Sequence, residues 1–138
     1  MQVVILCGGK GTRLGLSDTP KSMVSINGKP FLQWQIELLR DQGFKDVLLC
    51  TGHLSTQISS YFGNGKKFGV GITYSHEKTP IGTGGALLDA KEKLEDTFIV
   101  INGDTYFRFD IALLSALFNP KLMGGLLAVY NKTERDDM

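Results

Sequence analysis

The chain has 138 residues, 42% of them hydrophobic and 21% charged, a balance that suits a single soluble globular domain with a sizeable core. Fifteen Lys and Arg against fourteen Asp and Glu leave a formal charge of +1, so no nucleic-acid or membrane surface is indicated and any attraction for anions must be local. No cationic leader precedes the first apolar run, and Leu6 stands before Cys7 where a lipoprotein cleavage site would want a small residue, so export is not expected.

Val3 to Leu6 reads as a buried parallel strand. It leads into Gly8, Gly9 and Gly11, with Lys10, Arg13 and Lys21 nearby. Glycines let main-chain N–H groups converge on one anion and the cations add charge, so a phosphate site at the strand's carboxyl end is one reading and a plain turn is the other. Met23 to Ile26 is a brief extended piece, Asn27-Gly28 a turn, and Pro30 the first residue of a helix to Gln42. Leu32, Ile36 and Leu39 share one face of that helix, Phe31, Trp34 and Leu38 widen it, and Gly43 stops it. Trp34 is expected to pack in the core rather than stack on a cofactor.

Val47 to Cys50 is the second strand, and a helical stretch runs through Ile58 to Tyr61. His53, at the junction between them, could line a cleft, although capping the helix or solvent exposure is the commoner fate of such a histidine. Cys7 and Cys50 each end a strand without metal-ligand spacing and read as reduced core thiols, which points to the cytoplasm. Gly65-Lys66-Lys67 is not a Walker loop, since no Ser or Thr follows the lysine. Ile72 to Ser75 is the third strand. A glycine-rich turn around Gly82 then opens a helix carrying Ala86, Leu87, Leu88, Ala90 and Leu94. Phe98 to Ile101 is the fourth strand, ending in Asn102-Gly103-Asp104. Asp110 N-caps a helix through Phe118, and Leu126 to Tyr130 is a fifth strand whose exposed edge would invite self-pairing and a homodimer.

Strands alternating with helices give a three-layer α/β/α, Rossmann-like domain with a mainly parallel sheet, spanning residues 1–138. The loop after the first strand, the Gly82 turn and Asp104 then fall on one edge of the sheet. A dinucleotide-binding turn would need its third glycine where Leu14 stands, and Gly15, Ser17, Asp18 and Pro20 break the helix that should follow, which argues against a nicotinamide-dependent dehydrogenase. Asp104 suits a Mg²⁺ ligand or a turn-forming aspartate. Asp110 and the Asp136-Asp137 pair are a helix cap and a solvated tail.

Four motifs in order carry a family resemblance. LCGGKGTRL, Pro20-Lys21-Ser22-Met23, Gly82-Thr83-Gly84-Gly85-Ala86-Leu87 and Asn102-Gly103-Asp104 resemble the motifs of the sugar-1-phosphate nucleotidyltransferases, and Cys7 with NGDTYF most resembles their heptose-1-phosphate guanylyltransferases. The resemblance implies the nucleotide-diphospho-sugar transferase fold and a reaction between a nucleoside triphosphate and a sugar 1-phosphate, giving a nucleotide sugar and pyrophosphate. It implies Leu6, Gly8, Gly9, Lys10, Gly11, Thr12, Gly82 and Thr83 as nucleotide-binding, and Arg13 on the β- and γ-phosphates. Lys21 would act at the α-phosphate or the incoming sugar phosphate, and Asp104 on Mg²⁺. Glu77 stands where relatives place a base-reading residue. An ionised carboxylate only accepts hydrogen bonds and guanine offers two adjacent donors, so Glu77 leans toward GTP.

Two departures stand out. Ser22 replaces the second proline of the family's P-K-P, leaving the backbone that aims Lys21 less restricted. The chain also ends before the strands in which family members carry a second metal-binding aspartate and much of the sugar pocket. The alternative is therefore a non-catalytic nucleotide-binding module or an inactive fragment.

Overall fold

A computed structural model describes residues 1–9, 15, 17–106, 108 and 110–129. The chain divides into two compact units, Met1–Phe107 and Arg108–Met138. In the first, the elements in chain order are β1 (Gln2–Cys7), β2 (Ser25–Ile26), β3 (Lys29–Pro30), α1 (Phe31–Asp41), β4 (Asp46–Thr51), α2 (Ser55–Phe62), β5 (Gly71–His76), α3 (Gly82–Asp89) and β6 (Phe98–Asn102). Four of the strands form one parallel sheet in the order β5-β4-β1-β6, and β2 and β3 form a small antiparallel hairpin.

The middle of each central strand is an unbroken apolar run buried on both faces, the pattern of a parallel sheet covered on either side. Val3, Val4 and Ile5 of β1 and Val47, Leu48 and Leu49 of β4 are all closed to solvent. Alternation along the strands divides these residues between two faces. Val4, Leu48 and Cys50 cluster with Ala86 and Ala90 of the α3 segment. Val3, Ile5, Val47 and Leu49 therefore face the other layer, where Leu32, Ile36 and Leu39 of α1 and Ile58 of α2 are equally buried. From β1 the chain steps outward to β4 and β5, then returns to place β6 on the other side of β1. The gap between the carboxyl ends of β1 and β6 is thus the switch point at which open α/β sheets hold ligands.

Helix α1 ends as its sequence demands. Gly43 takes φ +87°, Gly43 N donates to Arg40 O at 2.9 Å and Phe44 N to Leu39 O at 2.9 Å, the paired bonds of a glycine-terminated helix. Its start differs from expectation. Pro30 pairs with Ser25 in the hairpin, so Phe31 is the first helical residue, and residues Lys21–Met23 form a 3-10 turn where the extended piece was expected to begin.

The third helix also differs. Gly82 to Gly85 are its first turn rather than a lead-in, and it stops at Asp89. A 3-10 turn, Lys91–Lys93, follows and Leu94 is extended. Buried Gln2 explains the early exit: its side chain donates to Lys93 O at 3.0 Å and accepts from Glu95 N at 3.2 Å, tying this stretch to β1.

In the second unit, Asp110 caps α4 (Ile111–Leu117) by accepting from Leu113 N at 3.2 Å, as expected. The expected fifth strand does not form over residues 126–129, which pair as a ladder with none of the described residues and leave Leu127 and Val129 more than 80% exposed. The strand edge on which a homodimer was argued is therefore missing there; Tyr130 and the Asp136-Asp137 pair lie outside the described residues. Among the described residues no helix is long and apolar enough to cross a membrane.

Candidate functional site

A cavity of about 280 Å³ opens at the switch point. Leu6, Gly8 and Gly9 come to it from the end of β1, Lys21 and Ser22 from the 3-10 turn, Glu77 from the end of β5, Gly82 and Thr83 from the start of α3, and Asp104 from the turn after β6. Eight of the expected site residues thus share one cavity, while Lys10, Gly11, Thr12 and Arg13 lie outside the described residues. His53 is exposed in the turn before α2 and is absent from the lining. Trp34 belongs to a structural clamp: Lys29 Nζ lies 3.9 Å from its ring centre and its Nε1 donates to Ile26 O at 2.9 Å.

Close backbone approach shapes the floor. Gly103 N donates to Leu6 O at 2.9 Å, and a methyl group on Gly103 would stand 2.7 Å from that same oxygen. Across the cavity, Glu77 N extends the ladder to Thr51 O at 2.8 Å. Its carboxylate lies over Gly8, where a methyl group would run into it, and reaches Ile81 N at 3.4 Å. No side chain caps the glycine-rich first turn of α3, so that turn presents main-chain N–H groups and the positive end of its dipole beside the cavity.

The charged pair at the centre joins positions 83 apart in sequence: Lys21 Nζ meets Asp104 Oδ2 at 2.6 Å. Thr105 Oγ1 donates to Asp104 Oδ1 at 3.1 Å. The Lys21 bond above all, with Thr105 assisting against the opposing effect of burial, holds the Asp104 carboxyl below its ordinary range. Both side chains are about 40% exposed, so the pair adds little to fold stability and chiefly sets the charge pattern of the cavity.

The turn that carries Lys21 is closed by its own backbone, with Ser22 in the place of the family's second proline. Met23 N donates to Pro20 O at 2.8 Å and Val24 N to Lys21 O at 3.3 Å, closing the turn, and Ser22 is 2% exposed. Its hydroxyl lies near enough to the Cys7 thiol to favour the charged form, yet it makes no bond of proper geometry among the described residues.

Burial dominates at the thiols, pushing Cys7 up to about 12 and Cys50 up to about 11. An acid whose folded value is raised adds stability below its unfolded value, and that contribution is lost as pH climbs toward the folded one. At pH 8 the Cys7 thiolate fraction should be lower by roughly a thousandfold than in the unfolded chain. Native protein should therefore resist a disulfide reagent that reacts at once with both cysteines in denaturant; fast native labelling would contradict the buried placement.

Asp104 is a hard anionic donor on the cavity wall. Among the described residues no group of three His, Cys, Asp or Glu could enclose a metal. A single carboxylate oxygen donor of this kind is compatible with Mg²⁺, which is commonly held by one or two carboxylates plus phosphate oxygens and water.

A doubly wound sheet with a glycine-lined cavity, a cation and a carboxylate at its switch point defines an α/β protein with a candidate ligand site at the carboxyl edge of its sheet. The chain belongs to the nucleotidyl transferase family, whose signature matches residues 2–137; such enzymes generally use a divalent metal. It is 44% identical over 116 residues to D-glycero-alpha-D-manno-heptose 1-phosphate guanylyltransferase of Campylobacter jejuni, covering 83% of this chain and 52% of that protein. It is also 44% identical over 114 residues to the enzyme of the same name from Aneurinibacillus thermoaerophilus, covering 80% of this chain and 49% of that protein. The crystal structure of HddC from Yersinia pseudotuberculosis complexed with GMP-PN superimposes with a TM-score of 0.75 at 41% identity, covering 84% of this chain and 54% of that one. The chain thus spans about half the length of these relatives.

Sequence reading missed Gln35, a polar residue on the apolar stripe of α1 that is only 3% exposed. Its signal was available: a glutamine between Leu32 and Leu39 at helical spacing is out of place on a core face.

Proposed function

We propose that this chain carries the nucleotide site of a sugar-1-phosphate nucleotidyltransferase that couples GTP to a heptose 1-phosphate. The observation that carries the reading is the meeting of Gly8, Gly9, Lys21, Asp104 and the uncapped start of α3 at one cavity. A phosphate oxygen of the sugar 1-phosphate forms a bond to the α-phosphorus of the triphosphate as the bond from that phosphorus to the bridging oxygen breaks, and the electron pair leaves with pyrophosphate. Such transfer depends on positioning and charge stabilisation rather than on a protein nucleophile.

In this reading main-chain N–H groups from Gly8 to Thr12 cradle the triphosphate, with Lys10 beside them and Leu6, Gly82 and Thr83 bordering the nucleotide. Arg13 supplies a planar fork of donors to the β- and γ-phosphates. Lys21 neutralises charge at the reacting phosphate, and Asp104 holds Mg²⁺, which when bound screens charge on the phosphate oxygens. Guanine is favoured by Glu77, whose carboxylate sits beside Gly8, and by the names of the heptose guanylyltransferases and the GMP-PN complex. The free, buried cysteines suit a cytoplasmic setting.

The second reading, a nucleotide-binding module without turnover, is motivated by the half-length match to the relatives. Calorimetry with the four ribonucleoside triphosphates, paired with a pyrophosphate-release assay over several sugar 1-phosphates, separates the two. Micromolar GTP binding with pyrophosphate release is expected. Binding without release on any sugar favours the module, and failure to bind any triphosphate sinks both.

A further inference from the structure

We infer that Gln35 is a positioning residue for the acidic turn: its side-chain amide, donating to the carbonyl oxygens of Asn102 and Thr105, fixes the backbone from which Asp104 faces the cavity. The two bonds measure 2.8 and 2.7 Å. A primary amide has two N–H donors in a fixed fork, and here both are spent on carbonyls that straddle Asp104 in sequence.

The turn's own closure is weaker. Thr105 N reaches Asn102 O at 3.4 Å, near the limit for a hydrogen bond, whereas the Gln35 bonds are at ordinary length. The side chain from α1 therefore sets the curvature. Phe31, one turn earlier on the same helix, meets Tyr106 edge-on with ring centres 6.3 Å apart, so α1 braces the segment on both sides of Thr105.

The choice of residue also points away from packing alone. Leu32, Ile36 and Leu39 occupy the same buried stripe, and a fourth aliphatic chain would fill it without polar cost. Gln35 instead leaves its Oε1 buried with no hydrogen-bond partner among the described residues, which lowers stability. Exchanging the amide's oxygen and nitrogen would aim an acceptor at two carbonyls, so the orientation is chemically fixed.

This inference rests on the reading of Asp104 as the Mg²⁺ ligand, and its test keeps the two apart. GTP affinity is measured by calorimetry with and without Mg²⁺ in the wild-type chain, in Gln35→Met, which is near in size but lacks donors, and in Asp104→Asn. Thermal melts run alongside, and Gln35→Leu serves if the methionine variant does not fold. Gln35→Met should bind GTP without Mg²⁺ within about twofold of wild type, while the tightening produced by Mg²⁺ falls about tenfold, the scale of losing a partner that orients a metal ligand. Undiminished tightening, or equal loss with and without Mg²⁺, overturns the positioning role. Undiminished tightening in Asp104→Asn overturns the metal reading instead.

Discussion

Lys21→Met is expected to weaken metal-free GTP binding, and Asp104→Asn is expected not to. The two side chains neutralise each other at 2.6 Å, so an incoming phosphate has to compete with Asp104 for the ammonium group. Removing Lys21 withdraws a cation and leaves an anion facing the ligand. A charge-assisted hydrogen bond contributes about 1.5–3 kcal/mol, so the loss should be roughly ten- to a hundredfold in affinity. Removing the charge of Asp104 frees Lys21 for the ligand, so metal-free binding should hold or tighten, while the benefit of Mg²⁺ disappears. Calorimetry on both variants checks this, and weakening of metal-free binding by Asp104→Asn would break the argument.

The same pair makes a pH prediction of definite sign. Lys21 above all holds the Asp104 carboxyl below its ordinary range, so the small stabilisation from the pair is present above that range and is lost as pH falls through the lowered folded value. In Lys21→Met the main cause of the depression is gone, and the acid limb of Mg²⁺-assisted binding should move to higher pH. Because both side chains are substantially exposed, either substitution should change stability by less than about 1 kcal/mol. A large drop in melting temperature would assign the pair to the fold rather than to the cavity.

The fold was legible where local pattern and tertiary burial agree. The unbroken apolar runs Val3 to Leu6 and Val47 to Cys50 read as strands, and α1 followed from Leu32, Ile36, Leu39 and Gly43. Legibility failed where a distant partner decides. Leu126 to Val129 has strand composition, yet strand composition without a neighbouring ladder gives no strand. The short α3 follows from Gln2, at the opposite end of the unit in sequence.

In the candidate site, glycines and charges marked the cavity because their chemistry is unusual for plain structure, and Leu6, Gly8, Gly9, Lys21, Glu77, Gly82, Thr83 and Asp104 all line it. The meeting of Lys21 with Asp104, and of Gln35 with carbonyls 67 and 70 positions later, depends on strand order. Alternation of helices and strands does not supply that order, since β6 beside β1 is one of several placements open to a parallel sheet.

Gly103→Ala is expected to damage the fold, whereas Gly9→Ala is expected to leave it intact. At Gly103 the added methyl would lie 2.7 Å from Leu6 O and 2.9 Å from Cys7 Sγ. Neither is the far end of a flexible chain: one is backbone of the central strand, the other a buried thiol at the end of that strand. To admit the methyl, residue 103 must withdraw from β1, weakening its 2.9 Å bond to Leu6 O and parting β1 from β6 where they form the cavity floor. Overpacking of this kind costs about 1–3 kcal/mol and a lost hydrogen bond about 1 more. Against a total stability of about 5–15 kcal/mol that is a large share, and the melting temperature should fall by roughly 5–15 °C. At Gly9 an added methyl meets nothing within 4 Å among the described residues and the backbone is not among those held at positive φ, so the melt should be unchanged. Gly9 faces the cavity, however, and if it is glycine so that a phosphate can approach the backbone, Gly9→Ala should weaken GTP binding about tenfold or more at full stability. Wild-type affinity in Gly9→Ala would leave this loop as a turn without a part in phosphate binding, while an unchanged melt in Gly103→Ala would show that β1 and β6 can separate at their ends without cost.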